Sequence, residues 1–171
     1  MPDRTIRPSV MADLTRLLEI YEDARRLMRE TGNPTQWITN PRRELLEKDI
    51  QLSRGYVVEE EGHIIGTFAF IIGEDPTYRV LDGTWLNDAP YGTIHRIAGV
   101  RGAHGILQTA TAWAFTRIDN IRIDTHPNNA IMLHLLPKCG YTRCGTIFIQ
   151  DDVSNHSPRI AFQQERSVSR A

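Results

Sequence analysis

The sequence predicts a mixed α/β domain, and three observations carry that prediction. Apolar residues recur at helical spacing from Leu14 to Met28. A nearly unbroken apolar run of strand length follows from His63 to Ile72, and from Thr93 onward strand and helix signals alternate almost to the end of the chain. The length, 171 residues, is that of one ordinary domain. With 40% hydrophobic and 24% charged residues, the composition is that of an average globular protein able to build one core without staples. A formal net charge of -1 gives no broad basic field for nucleic acid.

Each element has its own signal. Thr5-Ile6-Arg7 reads as a short first strand, which Pro8-Ser9 breaks, with Ser9 as the expected helix cap. Leu14, Leu17, Leu18, Tyr21, Ala24 and Met28 form one face of an amphipathic helix, and Asp13, Arg16, Glu19, Asp23, Arg26 and Glu30 form the other. Gly32 ends it, and residues 32–37 read as a loop. Asn40-Pro41 predicts the start of a second helix, with asparagine as cap and proline at the first position; Leu45, Leu46 and Ile50 are its buried stripe. Trp37, between the two helices, has two readings: a plug over the core, or a wall of a substrate cleft.

Tyr56 to Glu59 reads as a strand and Glu61-Gly62 as a tight turn. His63 to Ile72 then reads as a strand covered on both faces. Residues 75–91 show no period but hold Tyr78, Trp85 and Tyr91. A long connection with aromatic residues is characteristic of a binding loop, while the plainer reading has the rings tack the loop down.

Thr93 to Ala98 is a strand, residues 99–105 are a turn of small and polar residues, and a helix starts near Ile106 with Leu107, Ala110, Ala114, Phe115 and Ile118 inward. The first amides of a helix lack internal partners and sit at the positive end of its dipole, so this strand–turn–helix is an expected anion site. Ile121 to Asp124 is a further strand. Asn128-Asn129 leads into a helix from Ala130 to Lys138, shortened or distorted by Pro137. Tyr141 to Gln150 and Arg159 to Gln164 complete the strands, joined by a turn-rich segment, and residues 167–171 read as a frayed tail.

Met1 to Val10 lacks the apolar centre of a secretory signal, and the longest apolar run is about half the length of a membrane helix. Cys139 and Cys144 are too close in sequence for a disulfide scaffold and make no metal motif with the histidines. A cytoplasmic protein with no membrane or nucleic-acid partner and no metal is expected.

Four segments carry a resemblance: Ile6-Arg7-Pro8 before an acidic-containing helix, Ile94-His95-Arg96-Ile97-Ala98, the run from Arg122 to Asn129, and Cys139-Gly140-Tyr141 before the penultimate strand. In this order and spacing the chain resembles the GCN5-related N-acetyltransferase (GNAT) family over almost its whole length. Gly32-Asn33 and Gln36-Trp37, with the aromatic-rich loop, make it look like a small bacterial branch. The resemblance implies one α/β domain over residues 1–166, a GNAT-like mixed central sheet flanked by helices, with splayed fourth and fifth strands. It also implies acetyl-CoA as co-substrate and a small-molecule amine as acceptor; family members often form homodimers.

Carried over residue by residue, the resemblance places Ile97, Ala98 and Gly99 beside the pantetheine arm. The pyrophosphate would rest on amides of Ala103, His104, Gly105, Ile106 and Leu107, with Gln108 and Thr109 in reach, and Asn129 matches a coenzyme-contacting asparagine. The family's turn usually reads Arg or Gln, two residues, Gly, one residue, then Gly or Ala. Here those positions are Gly102, Gly105 and Leu107, so the usual anchoring side chain is missing and a leucine stands where little or none is expected. Arg101 and His104 are candidates to restore positive charge there.

The implied reaction is direct attack of a neutral amine on the thioester, with no acyl-enzyme step. His95 is the best-placed general base by sequence, and Trp37, Tyr78, Trp85 and Tyr91 are expected to line the acceptor pocket. Asp124 and His126, two apart on a strand, are expected to hydrogen-bond and fix the strand end, with a relay as the alternative. The helix after Asn129 lacks the tyrosine that often protonates the departing thiolate, leaving His134 or water. The competing reading, motivated by Gly102 and Leu107, is a non-catalytic acyl-CoA- or metabolite-binding module.

Overall fold

A computed structural model describes residues 2–167, so residues 168–171 of the expected tail lie outside the described part. Eight strands form one mixed sheet in the order β1-β2-β3-β5-β6-β8-β7-β4. In chain order these are β1 (Arg4–Pro8), β2 (Gly55–Glu60), β3 (His63–Ile72), β4 (Asp82–Gly83), β5 (Gly92–Gly99), β6 (Asn120–Thr125), β7 (Thr142–Ile149) and β8 (Ser157–Glu165). The helices are α1 (Leu14–Glu30), α2 (Arg43–Gln51), α3 (Ile106–Ala114) and α4 (Ala130–Lys138). Among the described residues no helix is long and apolar enough to cross a membrane.

Helices cover both faces of the sheet. On one face Leu14, Leu17, Ile20 and Tyr21 of α1 pack with Leu46 of α2, Val57 and Ala98. On the other, Ile106, Leu107, Ala110 and Ala114 of α3 and Leu136 of α4 pack with Val58, Phe68, Phe70, Ile94, Ile121, Ile123 and Phe162. Of β3, Ile65, Phe68 and Phe70 pack in the α3-side core and Ile64 in the α1-side core, so both its faces are covered and its sequence reads as a continuous apolar run. Its ends, His63 and Ile72, are exposed. A third cluster joins Tyr78 and Tyr91 to Ile147 and Ala161.

Two cap assignments differ from expectation. Ser9 is buried, and its backbone N–H donates to the Gly55 carbonyl. Asp13 closes the helix entry instead, accepting from the Val10 N–H at 2.8 Å while paired with Arg7 at 2.8 Å. Nor does Asn40 cap α2, which begins only at Arg43. Arg25 donates to the Asn40 carbonyl and the Asn40 amide reaches Asp152, so tertiary contacts hold this residue away from the helix. The segment expected to be structureless contains a 3-10 turn, Pro76–Tyr78, and the two-residue strand β4, which pairs with Thr146 and Gly145 of β7. α3 also stops at Ala114, short of Phe115 and Ile118.

The functional geometry starts with β5 and β6. They are parallel neighbours, paired only at Gly92–Ile121 and Thr93–Arg122, and then separate. This is the expected splay of the fourth and fifth strands, with the short β4 advancing the count by one. A bulge in β5 bends it away: the register against β3 shifts between Thr67 and Ala69, and Arg96 adopts φ 51, in the left-handed region. That conformation costs an L-residue about 1–2 kcal/mol. It is held by the Tyr21 hydroxyl, which donates to the Arg96 carbonyl at 2.6 Å, and by Asp49, which accepts from the Arg96 guanidinium at 2.7 Å.

Candidate active site

A groove of about 530 Å³ runs from the splayed strands to the start of α3. Ile97, Ala98, Gly99, Gly102, Ala103, His104, Gly105, Ile106, Leu107 and Gln108 all line it, joined by Met132, Leu135 and Cys139 from the α4 side. Gly105 precedes α3 with φ 76, which favours glycine. Among the described residues, the amides of Ile106, Leu107 and Gln108 have no protein acceptor, as expected of a helix start. The Ala103 amide is engaged: it donates to the Val100 carbonyl and closes the turn, so it is removed from the expected set of free amides.

The leucine at the helix start does not obstruct the groove. Leu107 is 5% exposed and its side chain enters the α3-side core. Ile106 does the same over Gly66 and Gly99, where an added Cβ would come within 2.9 and 3.0 Å of its side chain. The turn is anchored from another strand. Arg4 of β1 donates to the His104 carbonyl at 2.7 Å and pairs with Glu60 at 2.9 Å, while Thr109 donates to the Gly105 carbonyl at 2.9 Å. Arg4 does for this loop what a side chain at position 102 is expected to do, a role with no signal in the local sequence. Arg101 is committed to an exposed pair with Glu30 at 3.0 Å, and His104 is exposed.

Ile97 and Met132 also line a narrow throat beyond the groove, together with Trp37, Gln36, Ile94, Arg96, Asp124 and Asn129. Asn129 is the N-cap of α4, accepting from the Met132 N–H at 3.1 Å, and its amide donates to Gln36 at 3.0 Å. It stands in the throat rather than along the groove. The throat shares Gln36, Trp37, Ile94, Arg96 and Asp124 with an outer cavity of about 400 Å³, to which Asp75, Thr77, His95, Asp151 and Arg159 contribute. Groove, throat and cavity thus form one sequence of linings through the splay.

His95 faces this cavity with Nε2 at 3.0 Å from Asp75 Oδ2. Asp75 Oδ1 accepts from the Thr77 N–H and hydroxyl at 2.9 and 2.7 Å. Burial works to raise the Asp75 carboxyl, but the His95 and Thr77 donors outweigh it and hold it at about 2. Asp124 accepts from the Tyr78 hydroxyl at 2.7 Å. Burial pushes Asp124 above the usual carboxylate range, only partly offset by His95 and the Tyr78 bond. The expected Asp124–His126 bond does not form. His126 accepts from the Asn128 N–H at 3.0 Å and lies 3.2 Å from the Thr35 hydroxyl, so two loops claim it. Burial lowers its pKa. Asp75 and Asp124 were invisible as a pair in the sequence because only the fold brings the 75–91 loop over β6.

The four aromatic residues do not share one pocket. Trp37 lines the throat and outer cavity and packs edge-on against Tyr21, with ring centres 5.6 Å apart. Tyr78, Trp85 and Tyr91 line a different cavity with Arg122. The Arg122 guanidinium lies between the Trp85 and Tyr91 rings, 3.9 and 4.0 Å from their centres, and donates to the Asn87 carbonyl at 3.0 Å. These rings tack the loop down, and Tyr91 extends the effect by accepting the Asp75 N–H at 2.8 Å. His134 is exposed on α4 and lines neither groove nor throat.

Against solved structures, the chain superposes on an acetyltransferase of the GNAT family from Streptococcus agalactiae 2603 with a TM-score of 0.86 and 28% identity, over 96% of each chain. The chain has the GNAT fold. A GNAT-family acetyltransferase from Listeria monocytogenes 4b F2365 shares the fold at a TM-score of 0.64 and 19% identity, covering 95% of this chain and 94% of that one. A ribosomal-protein-alanine N-acetyltransferase from Brucella melitensis does so at 0.60 and 20%, covering 94% and 99%. No protein-family model and no curated protein matches the sequence. The GNAT fold thus supports acyl transfer as the general chemistry of the site.

Proposed function

We propose that this GNAT protein is an N-acetyltransferase that takes acetyl-CoA as donor and acetylates the amine of a small molecule by direct attack. The observation that carries the reading is the continuity of the lining. A groove ending on free amides at the start of α3 leads through the β5–β6 splay into a cavity holding His95, Asp75 and Asp124. Those amides fit a diphosphate, and the apolar walls between them and the throat fit an extended arm.

Acetyl-CoA supplies the activated thioester carbonyl. The residues of the chain place the acceptor beside it and remove its proton. His95, oriented by Asp75, is the base in this reading, because an imidazole with one nitrogen fixed by a carboxylate presents a defined face to the cavity. The bulged, unpaired edge of β5 supplies backbone N–H groups near the throat where charge grows on the carbonyl oxygen. Cys139 plays no covalent part: burial raises its pKa, which disfavours the thiolate. With His134 outside the groove lining, water protonates the departing thiolate.

The test is release of free thiol from acetyl-CoA across an amine panel, with thermal shift as a second readout. Turnover with at least one amine, and a shift with coenzyme, are expected. One observation favours the non-catalytic alternative, namely that Arg101 is spent on Glu30 and brings no unpaired cation to the turn. A coenzyme-induced shift without turnover of any amine would establish that alternative and overturn the proposal.

A further inference from the structure

The outer cavity has an uneven distribution of charge partners. Each arginine and histidine in its lining already meets a carboxylate. Arg159 pairs with Asp151 at 3.0 Å, both almost fully buried. Arg96 reaches Asp49, which lies outside the lining, and His95 meets Asp75. Asp124 alone, among the described carboxylates there, has no cation in contact; its only hydrogen bond comes from the uncharged Tyr78 hydroxyl, to Oδ2. Asp124 also belongs to both linings, throat and cavity, so it stands where an acceptor entering from outside first meets the thioester end of the channel. A carboxylate held among protein atoms with no cation in direct contact is destabilised, and an arriving ammonium group relieves that cost by direct, charge-assisted hydrogen bonding.

We propose that Asp124 is the docking carboxylate for the acceptor, which therefore enters as a cationic amine with no anionic group at that point. This inference rests on the acetyltransferase reading and narrows its substrate class. Tyr78 positions Asp124 by holding Oδ2, which leaves Oδ1 for the amine. The Asp75–His95 pair then receives the proton that docking brings in, so docking and proton removal are divided between two neighbouring carboxylates. Trp37, which lines both the throat and the cavity with Asp124, adds an aromatic ring suited to the same cation. An acceptor with a carboxylate next to its amine meets Asp124, Asp75 and Asp151 with each lining arginine and histidine already partnered, and is disfavoured.

Calorimetric titration of the protein saturated with coenzyme A tests this, using benzylamine and 1,4-diaminobutane as cationic probes and benzoate as the anionic counterpart. Wild type is expected to bind the amines and not benzoate. Asp124→Asn, which keeps an acceptor for Tyr78, should weaken amine binding by about tenfold or more, and Asp124→Glu, which keeps the charge, should recover most of it. The coenzyme-induced thermal shift should be the same in all three, showing that each variant is folded. Benzoate binding as tightly as benzylamine, or Asp124→Asn retaining wild-type amine affinity, would overturn the proposal. The acetyltransferase reading fails separately, through absence of thiol release by wild type while amine binding still depends on Asp124.

Discussion

Arg4 is far in sequence from the turn before α3, the proposed phosphate site, yet it is that turn's chief brace. Its Nη1 donates to the His104 carbonyl at 2.7 Å and more weakly to Thr109 at 3.4 Å, while Nε pairs with Glu60 at 2.9 Å. Replacing it by methionine keeps much of the stem and removes these bonds. A hydrogen bond from a charged donor contributes about 1.5–3 kcal/mol. With the Arg4 and Glu60 side chains 17% and 25% exposed, solvent screening brings the part felt by the loop to about 1.4 kcal/mol. If the turn must be ordered for its amides to converge, that whole amount appears in coenzyme affinity, about a tenfold weaker Kd. Calorimetric titration with coenzyme A measures this, alongside the melting temperature without ligand. Arg4→Lys, whose single ammonium can still reach one acceptor, should fall between wild type and Arg4→Met. A melting temperature that falls while the coenzyme Kd stays at the wild-type value would refute the reasoning, because Arg4 would then brace β1 and not the turn.

Leu107→Ala separates packing from ligand contact at the same helix start. Because Leu107 is 5% exposed in the core, the change should cost about 2–5 kcal/mol of stability in denaturant unfolding and leave the coenzyme Kd within about twofold; a large gain in affinity would restore the obstructing leucine. Acid unfolding should report Asp75. Its folded pKa, about 2, lies below the ordinary value of 3.8, so the stability it contributes is present above pH 4 and is lost as pH falls towards 2. Asp75→Asn should flatten that part of the stability–pH curve, and an unchanged slope would count against the His95–Asp75 pairing.

Local patterns made the succession of elements legible. The amphipathic stripe of α1 and the continuous apolar run of β3 are each written within a few residues, because helix and strand periodicity are short-range effects. The stretch from Thr93 to Met132 was likewise readable as strand, turn, helix and strand. Together with Ile6-Arg7-Pro8 and Cys139-Gly140-Tyr141 it carried the family resemblance, and the residues that the resemblance assigns to the coenzyme, Ile97 to Gly99 and Gly102 to Gln108, lie along one groove.

The tertiary structure decided what the site residues do. It turned Leu107 into the core and spent the Ala103 amide on the turn. It also separated Trp37 from Tyr78, Trp85 and Tyr91, which fold around Arg122. It assigned Asp124 to Tyr78 and Asp75 to His95, contacts that span 46 and 20 positions, and placed Arg4 under a loop 100 positions away. Such partners are chosen by which strands lie side by side and where β5 bends, and neither periodicity nor spacing along one chain records that choice.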